Sequence, residues 1–511
     1  MKPRSRGLPV LSAFIGLGAF LGMAALGDRS LEAILVTLVA SGAAAAMVFL
    51  VAERPVAAFG LLLVLASVSS VVVGLPIGRL RLEQPSIVAA VVTLFAIRGW
   101  PRRAQLRPML PIVAAFAGYL VILTLSSVLY APKPLVSARL IIWTALSMAG
   151  GFAVFALLLR SREERVDGWF TAAGVGHAVI GLVIAAAFLV IGPVGIPGMQ
   201  TSPGEVPKVA GLAFEANLFA SMLGALAPFA LDRFRSQRTI ATAMPVIVIV
   251  VGLGLGVTRG AYLGLAVGLL TYLAIIGYRS RGRSEILGLI PVIAVAMLLA
   301  PSIASVALPV TRGPGLGGPG PSPGASLRPA ETLRPGETLR PGQTLRPAET
   351  LRPGATDTPG STPRPSPTPV ADTFAYRTNR IPVALHDLQS SPLIGLGAAS
   401  YGQRHEVRYA PPGTPDYIGI LALVAVYESG ILGAAALGLG FVMALWMFIR
   451  ISRERSGPGA AYAASIVTLL VAYQATNALF FSINWIILGA GLALAARSAS
   501  RTRLDSASAR A

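Results

Sequence analysis

Residues 108–130 read PMLPIVAAFAGYLVILTLSSVLY and contain no charged side chain. A helix rises about 1.5 Å per residue, so a segment of this length crosses the roughly 30 Å hydrocarbon core of a bilayer. Similar apolar runs recur along the 511-residue chain, whose mean hydropathy is +0.71. The stretch therefore predicts an all-α polytopic membrane protein, because a helix satisfies its own backbone hydrogen bonds inside lipid.

The apolar runs predict about fourteen transmembrane helices. They cover residues 8–27, 31–51, 55–75, 85–99, 108–130, 138–159, 168–191, 213–231, 239–257, 260–278, 285–304, 430–449, 459–479 and 484–497. The first run follows a basic N-terminus and is longer than the apolar core of a signal peptide, so we expect an uncleaved span with its N-terminus in the cytoplasm. An even number of spans then puts the C-terminus in the cytoplasm as well.

The basic residues support this orientation. The predicted cytoplasmic segments carry more than half of the 42 lysines and arginines, which is the bias expected of cytoplasmic loops. The formal net charge of +20 thus follows from topology, and no nucleic-acid partner is needed to explain it.

Five segments follow from this layout. They are a first membrane region (1–304), a disordered Pro/Thr/Gly-rich segment (305–370), the ordered part of one long extracytoplasmic loop (371–429), three C-terminal spans (430–498) and a cytoplasmic tail (499–511). Between Leu327 and Thr356 the chain repeats LRPAET, LRPGET, LRPGQT, LRPAET and LRPGAT. Proline in every unit blocks helices and sheet ladders, so this part is either an inert spacer or one that contacts glycan or the cell wall.

The ordered part of the loop concentrates reactive side chains in an otherwise apolar chain. It contains Arg377, Arg380, Arg404, Arg408, His386, His405, Asp416 and Glu428. Arginine binds phosphate oxygens in a bidentate manner and stays charged. For any one of these arginines, a solvated surface charge is the favoured explanation, but the set as a whole favours a site for a diphosphate or another polyanion.

Three further candidates lie at predicted extracytoplasmic ends of spans. Arg259 is an extracytoplasmic arginine near the membrane, against the positive-inside bias, although it could simply extend its charge to the interface. Glu215 and Asn217 follow Lys208 at the start of a span, where a helix-capping role is the alternative. The chain has no cysteine and three histidines, so we expect no disulfide, metal site or other cofactor.

Four short motifs occur in order along the chain. They are GLAFEANLFA (211–220), LGVTRGAY (255–262), RIPVAL with SPLIGLG (380–385 and 391–397) and LVAVYESGILG (423–433). Together they resemble motifs of the O-antigen ligase and O-antigen polymerase family of bacterial membrane glycosyltransferases. The resemblance covers about residues 168–496, and the first six spans match only in hydropathy.

The resemblance implies a function in surface polysaccharide biosynthesis at the bacterial cytoplasmic (inner) membrane. The reaction would be an inverting transfer from a polyprenyl-diphosphate-linked glycan to a glycan or lipid acceptor, on the extracytoplasmic side and without a required metal. The implied binding residues are Arg259, Arg380, Arg377, Arg404, Lys208, Glu215, Asn217 and Glu428. Asp416, His405 or His386 would activate the acceptor hydroxyl.

The sequence departs from the ligase pattern at one position. Ligases usually carry His-Asn shortly before the glutamate of the last motif, whereas Gly419-Ile420 stand here. This favours a polymerase-like or divergent member, or a histidine supplied from elsewhere.

Two other functions fit a helical membrane protein with these charges. A transporter or flippase of lipid-linked saccharide would favour inverted repeats and charges in the middle of the membrane, and neither is evident in the sequence. A non-catalytic scaffold for envelope assembly would tolerate single arginine substitutions.

Overall fold

The computed structural model describes residues 31–68, 72–75, 78–161, 166–191, 196–200, 207–213, 215–278, 282–307, 377–406, 416–454, 459–476 and 478–508. The predicted first span (8–27), the hexad repeat and Arg408 lie outside these residues. Each of the other thirteen predicted spans overlaps a helix.

The described helices follow the apolar runs and are joined by short connections. They are α1 (Leu31–Glu53), α2 (Pro55–Ser67), α3 (Glu83–Ala96), α4 (Arg103–Leu106), α5 (Leu110–Tyr130), α6 (Pro134–Arg160), α7 (Asp167–Ile191), α8 (Ala216–Gln237), α9 (Ile240–Leu255), α10 (Arg259–Gly277), α11 (Gly282–Ala307), α12 (Arg380–Leu388), α13 (Ser400–Arg404), α14 (Leu421–Glu454), α15 (Gly459–Ala472) and α16 (Ser482–Ser508). A 3-10 turn (Arg107–Met109) joins α4 to α5. Two antiparallel hairpins complete the structure, β1 (Val72–Leu75) with β2 (Gly78–Arg81) and β3 (Met199–Gln200) with β4 (Lys208–Val209).

Within the described residues, seven helical segments are long and apolar enough to cross a membrane, which agrees with an all-α membrane protein. They lie in α1, α4–α5, α6, α7, α10, α14 and α16. Five others, in α2, α3, α9, α11 and α15, are apolar but shorter. The number of spans and their orientation stay predictions.

Several boundaries differ from those predicted. The expected span 55–75 ends at Ser67, and a β-hairpin follows because Val72 and Val73 favour extended backbone. Helix α14 begins at Leu421 and is broken at Gly430, where a separate span was expected to begin. Helix α16 continues to Ser508, through most of the segment expected to be a cytoplasmic tail.

Close helix contacts form the core of the bundle. Helix α6 packs on α16, α5 on α14, and α10 on α15. Gly151 and Gly489 bring α6 and α16 together so closely that a Cβ on Gly489 would meet the Gly151 carbonyl. Small residues at such crossings let backbones approach and gain van der Waals contact, which replaces the hydrophobic driving force absent in lipid.

The ordered loop covers one end of this bundle. We call residues 377–406 and 416–420 the lid, and the end they cover the lid end. The lid contains α12 and α13 and contacts the C-terminal end of α5, the start of α6 and the start of α14.

Candidate functional site

The lid is fastened to α14 by an exchange of backbone hydrogen bonds at the helix break. The N–H groups of Leu396 and Gly397 donate to the carbonyls of Tyr427 and Glu428 over 2.8 and 2.9 Å. Beyond the break, the N–H groups of Ile431 and Leu432 donate to lid carbonyls over 3.0 and 3.1 Å. The third and fourth sequence motifs therefore form one interlocked unit.

Glycine makes this exchange possible. Gly430 has φ 64° and ψ −174°, a conformation that is essentially restricted to glycine. Gly395 in the lid also has a positive φ of 79°, and a Cβ placed on it would run into the Gly430 backbone. The Gly-x-Gly turn and the Glu-x-Gly break are thus required by the same close approach.

Glu428 lies at the helix break and holds the lid. Its side chain accepts a hydrogen bond from the Ala399 N–H over 2.8 Å, and the residue is 8% exposed. Its carbonyl accepts a second bond from the Ser126 hydroxyl of α5 over 2.7 Å. The structure therefore gives Glu428 an anchoring contact that the sequence did not predict.

Arg380 and Asp416 form a buried ion pair that closes the lid on itself. The Arg380 Nε and Nη2 atoms donate to Asp416 Oδ1 over 3.0 and 2.8 Å, and Nη2 lies 2.8 Å from Oδ2. The Tyr417 N–H also donates to Oδ1 over 2.8 Å. These donors already occupy both oxygens of Asp416, which leaves little of the carboxylate for an acceptor hydroxyl, so Asp416 is a weaker candidate base than its position suggested.

Arg377 covers the position where ligases carry histidine. A Cβ placed on Gly419 would lie 3.0 Å from Arg377 Nε, so the arginine side chain fills the space that a side chain at position 419 would need. Glu215 interacts electrostatically with Arg377, and both charges act on Tyr417. A half-buried guanidinium therefore occupies the space beside Gly419.

Glu215 is free for this interaction because it does not cap its helix. It occupies the N-cap position of α8 but makes no side-chain capping hydrogen bond. The Ala216 N–H donates instead to Gln200 Oε1 over 3.1 Å. The capping role considered for Glu215 is therefore wrong, and Gln200 fills it.

Lys208 and Asn217 lie beside this helix start. Lys208 pairs with Gln200 across the β3–β4 hairpin, which places it at the same end of the bundle as Glu215. Asn217 is half-buried in the first turn of α8, and its carbonyl accepts a hydrogen bond from Ser221. Both residues thus lie near Glu215 at the start of α8.

Arg259 is the first residue of α10 and is exposed at the lid end. Next to it, Gly260 packs against Ala475 in the turn after α15. The start of α14 binds the same turn, since the Leu421 N–H donates to the Tyr473 carbonyl over 3.0 Å. No hydrogen bond or ion pair joins Arg259 to another residue in the described part of the chain, so its charge is open to a ligand.

The lid contains a second polar group, which was not predicted from the sequence. Asp387 Oδ2 lies 2.6 Å from His405 Nε2 and accepts a hydrogen bond from the Tyr427 hydroxyl over 2.8 Å. Partial burial alone would raise the pKa of Asp387, but these hydrogen bonds hold it below its ordinary value. Because the carboxylate binds Nε2, the His405 tautomer with Nε2–H is favoured and leaves Nδ1 as an acceptor.

Two of the predicted residues point elsewhere. His386 lies on the exposed face of α12, opposite Arg380, Ala384 and Leu388, which are buried. Its candidacy as acceptor-activating group therefore loses support, because a helix side chain on that face turns away from the arginines. Arg404 is exposed and donates to the Tyr130 carbonyl at the end of α5 over 2.8 Å.

A buried ion pair near the lid end was also missed. Arg81 and Glu83 lie 3.5 Å apart, with side chains 2% and 0% exposed. The guanidinium lies 4.6 Å from the centre of the Phe481 ring and 5.3 Å from that of Trp143. The sequence signal is an arginine and a glutamate two residues apart between apolar runs.

No family model matches this sequence, and no curated protein matches it. The resemblance to the ligase and polymerase family therefore stays a prediction from the four motifs. Among the residues described, no group of three His, Asp or Glu side chains is arranged to hold a metal ion. At the lid end, the groups to which we assign chemistry are the cations Arg259 and Arg377 and the carboxylate-oriented His405.

Proposed function

We propose that the protein is a membrane glycosyltransferase that polymerises or ligates a glycan from a polyprenyl-diphosphate-linked donor. The acceptor would be a glycan or lipid outside the cytoplasm, in surface polysaccharide biosynthesis. The observation that carries the proposal is the exposed Arg259 at the lid end, beside a lid that brings Arg377 and His405 to the same end of a helical membrane bundle.

Arg259 and Arg377 suit the donor half of the reaction. The bond between the anomeric carbon and the diphosphate oxygen breaks, and the negative charge that develops on the diphosphate needs stabilisation. Guanidinium groups bind such oxygens in pairs and remain charged. Arg380 is assigned a supporting role, because Asp416 already occupies two of its nitrogens.

His405 suits the acceptor half. Its Nδ1 would take the proton from the acceptor hydroxyl as the oxygen attacks the anomeric carbon and the diphosphate leaves from the opposite face. Asp387 would act as a positioning residue that fixes the ring and stabilises the imidazolium. This assignment supplies a base without the ligase histidine.

The test is the length of surface glycan in cells that carry single substitutions. Arg259→Ala and Arg377→Ala should each lower glycan extension about 100-fold, the usual effect of removing one charge-stabilising donor. Arg102→Ala is the matched control, because Arg102 is exposed in the connection before α4, at the opposite end of the bundle. Protein level in the membrane must be equal in all three.

Normal glycan length in the Arg259 and Arg377 variants would refute the proposal. Movement of a labelled lipid-linked saccharide by the purified protein, with its glycan unchanged, would instead identify a flippase.

A further inference from the structure

A deep apolar cleft lies between α5 and α6, with α16 as its floor. Its volume is about 310 Å³, within the roughly 300–1,000 Å³ of small-molecule sites. It is lined by apolar side chains and backbone, including Ile112, Phe116, Ala117, Met148, Phe152 and Trp485. Ala117 is exposed and Val113 is 36% exposed, so the cleft opens sideways between the two helices.

The cleft lies far below the lid. The cleft follows α5 and the turn before it from Met109 to Leu120, whereas α5 ends under the lid at Tyr130. At about 1.5 Å per residue along α5, the cleft begins roughly 15 Å from the lid end and extends to roughly 30 Å from the lid end. One half of a hydrocarbon core is about 15 Å thick, so the chain of an ordinary lipid in the lid-side leaflet would end where the cleft begins.

The two helices that form the cleft carry cations at their lid ends. Lys133 and Arg139 are exposed at the α5–α6 turn, and Arg404 of the lid binds the last carbonyl of α5. A small cavity lined by Tyr119, Leu140 and Phe480 lies between this cationic end and the cleft. The arrangement matches a molecule with an anionic head at the lid end and a chain long enough to pass the middle of the membrane.

Lys133 and Arg139 lie on a different helix pair from Arg259. Helix α10, which carries Arg259, packs chiefly on α15, whereas α5 and α6 pack chiefly on α14 and α16. A transferase that joins two lipid-linked glycans needs places for two carrier lipids. The α5–α6 cleft provides a site for the second carrier lipid, so the two carrier lipids do not compete for one site.

We propose that the α5–α6 cleft holds the distal isoprene units of a second, long-chain polyprenyl diphosphate, whose head group lies beside Lys133, Arg139 and Arg404. The class of lipid rests on the proposed function, while the site rests on the shape and charge of this helix pair. The cleft thereby selects carriers by chain length.

The test counts lipids bound to the purified full chain by native mass spectrometry, with undecaprenyl diphosphate as the probe. The wild type should bind two, and Ala117→Trp, which fills the cleft, should bind one. Ala114→Trp is the matched control, because Ala114 is exposed on the same helix and does not line the cleft. Farnesyl diphosphate, whose chain is too short, should not displace the lipid lost in Ala117→Trp.

Equal numbers of bound lipids in the two tryptophan variants would overturn the inference, as would displacement by farnesyl diphosphate. A photoreactive benzoylphenylalanine at position 117 identifies the occupant directly. An adduct with the polyprenyl chain supports the proposal, whereas adducts only with phospholipid or with residues 8–27 overturn it. Arg259→Ala should leave the cleft lipid bound, so loss of glycan transfer and loss of this site are distinguishable.

Discussion

Two arginine–carboxylate pairs are buried near the lid end, and they are built differently. Arg380 and Asp416 share three contacts of 2.8–3.0 Å. Arg81 and Glu83 are buried more deeply but lie 3.5 Å apart. Among the described residues, Arg81 Nε and Nη1 and Glu83 Oε2 have no hydrogen-bond partner. Depth of burial therefore does not measure how well a charge is satisfied.

The difference follows from how each pair is assembled. Arg81 and Glu83 are two residues apart, so the local backbone sets their geometry, and aromatic rings fill the space around the guanidinium. Arg380 and Asp416 belong to separate segments of the lid, which are free to adjust until a bidentate geometry is reached. A buried pair stabilises a fold only when its hydrogen bonds offset the desolvation of both charges.

The largest expected loss of stability comes from breaking the Arg380–Asp416 pair of the lid. Asp416→Ala leaves Arg380 buried without its counterion and should cost about 3–5 kcal/mol. The thermal unfolding midpoint of the purified protein should fall accordingly. The double variant Arg380→Met with Asp416→Leu removes both charges and should recover most of that loss. An unchanged midpoint in Asp416→Ala would mean that the pair is not buried in the membrane-bound protein.

For the Arg81–Glu83 pair, we expect substitution to change the free energy of unfolding in the opposite direction. Replacing both members, Arg81→Met with Glu83→Leu, removes three unsatisfied polar atoms and should leave stability unchanged or raise it by about 1–4 kcal/mol. Glycan transfer should stay normal, because neither residue is assigned to the site. A strongly lowered midpoint in this double variant would show that the orphaned atoms have partners outside the described residues.

A smaller loss of stability is expected from a substitution at the break in α14. Gly430→Ala forces a side chain into a glycine-only conformation and should cost about 1–3 kcal/mol. The lid should loosen, which limited trypsin digestion at Arg377 and Arg404 would detect, while the Arg81 pair stays intact. Gly438→Ala is the matched control, because a Cβ there has no atom within 4 Å. Equal digestion of both variants would contradict a role for Gly430 in holding the lid.

The smallest effect is the pH dependence of Asp387. Its pKa is lowered in the folded protein, so its hydrogen bonds stabilise the lid above the ordinary aspartate pKa of about 4. This contribution is lost as the pH falls through the lowered value. The midpoint difference between the wild type and Asp387→Asn should correspond to about 1 kcal/mol at about pH 5 and shrink below about 4. A difference that persists undiminished in strong acid would contradict this.

Much of the helical layout was predictable because apolar length is a local property. The run 108–130 is a helix from Leu110 to Tyr130 in the structure, and thirteen predicted spans overlap helices. The ends of the helices were less predictable, as at Ser67 of α2 and Ser508 of α16, because the point where a helix ends depends on what the next residues contact.

The site was predictable only in part. Arg259, Glu215 and Arg377 were all chosen from the sequence, and the structure brings them to the same end of the bundle. Asp387 was missed because nothing local marks it, and its partners His405 and Tyr427 are distant in sequence. His386 was chosen for its chemistry, but the helical period turns it away from Arg380.

The sequence by itself determined that this chain forms apolar helices and that its unusual charges gather at one end of them. Both are set by composition along short segments and by the cost of placing charge or unpaired backbone groups in lipid. Tertiary structure alone decided which charges are already paired, as in Arg380 with Asp416, and which stay open, as in Arg259. Pairing depends on distances between segments that only folding fixes.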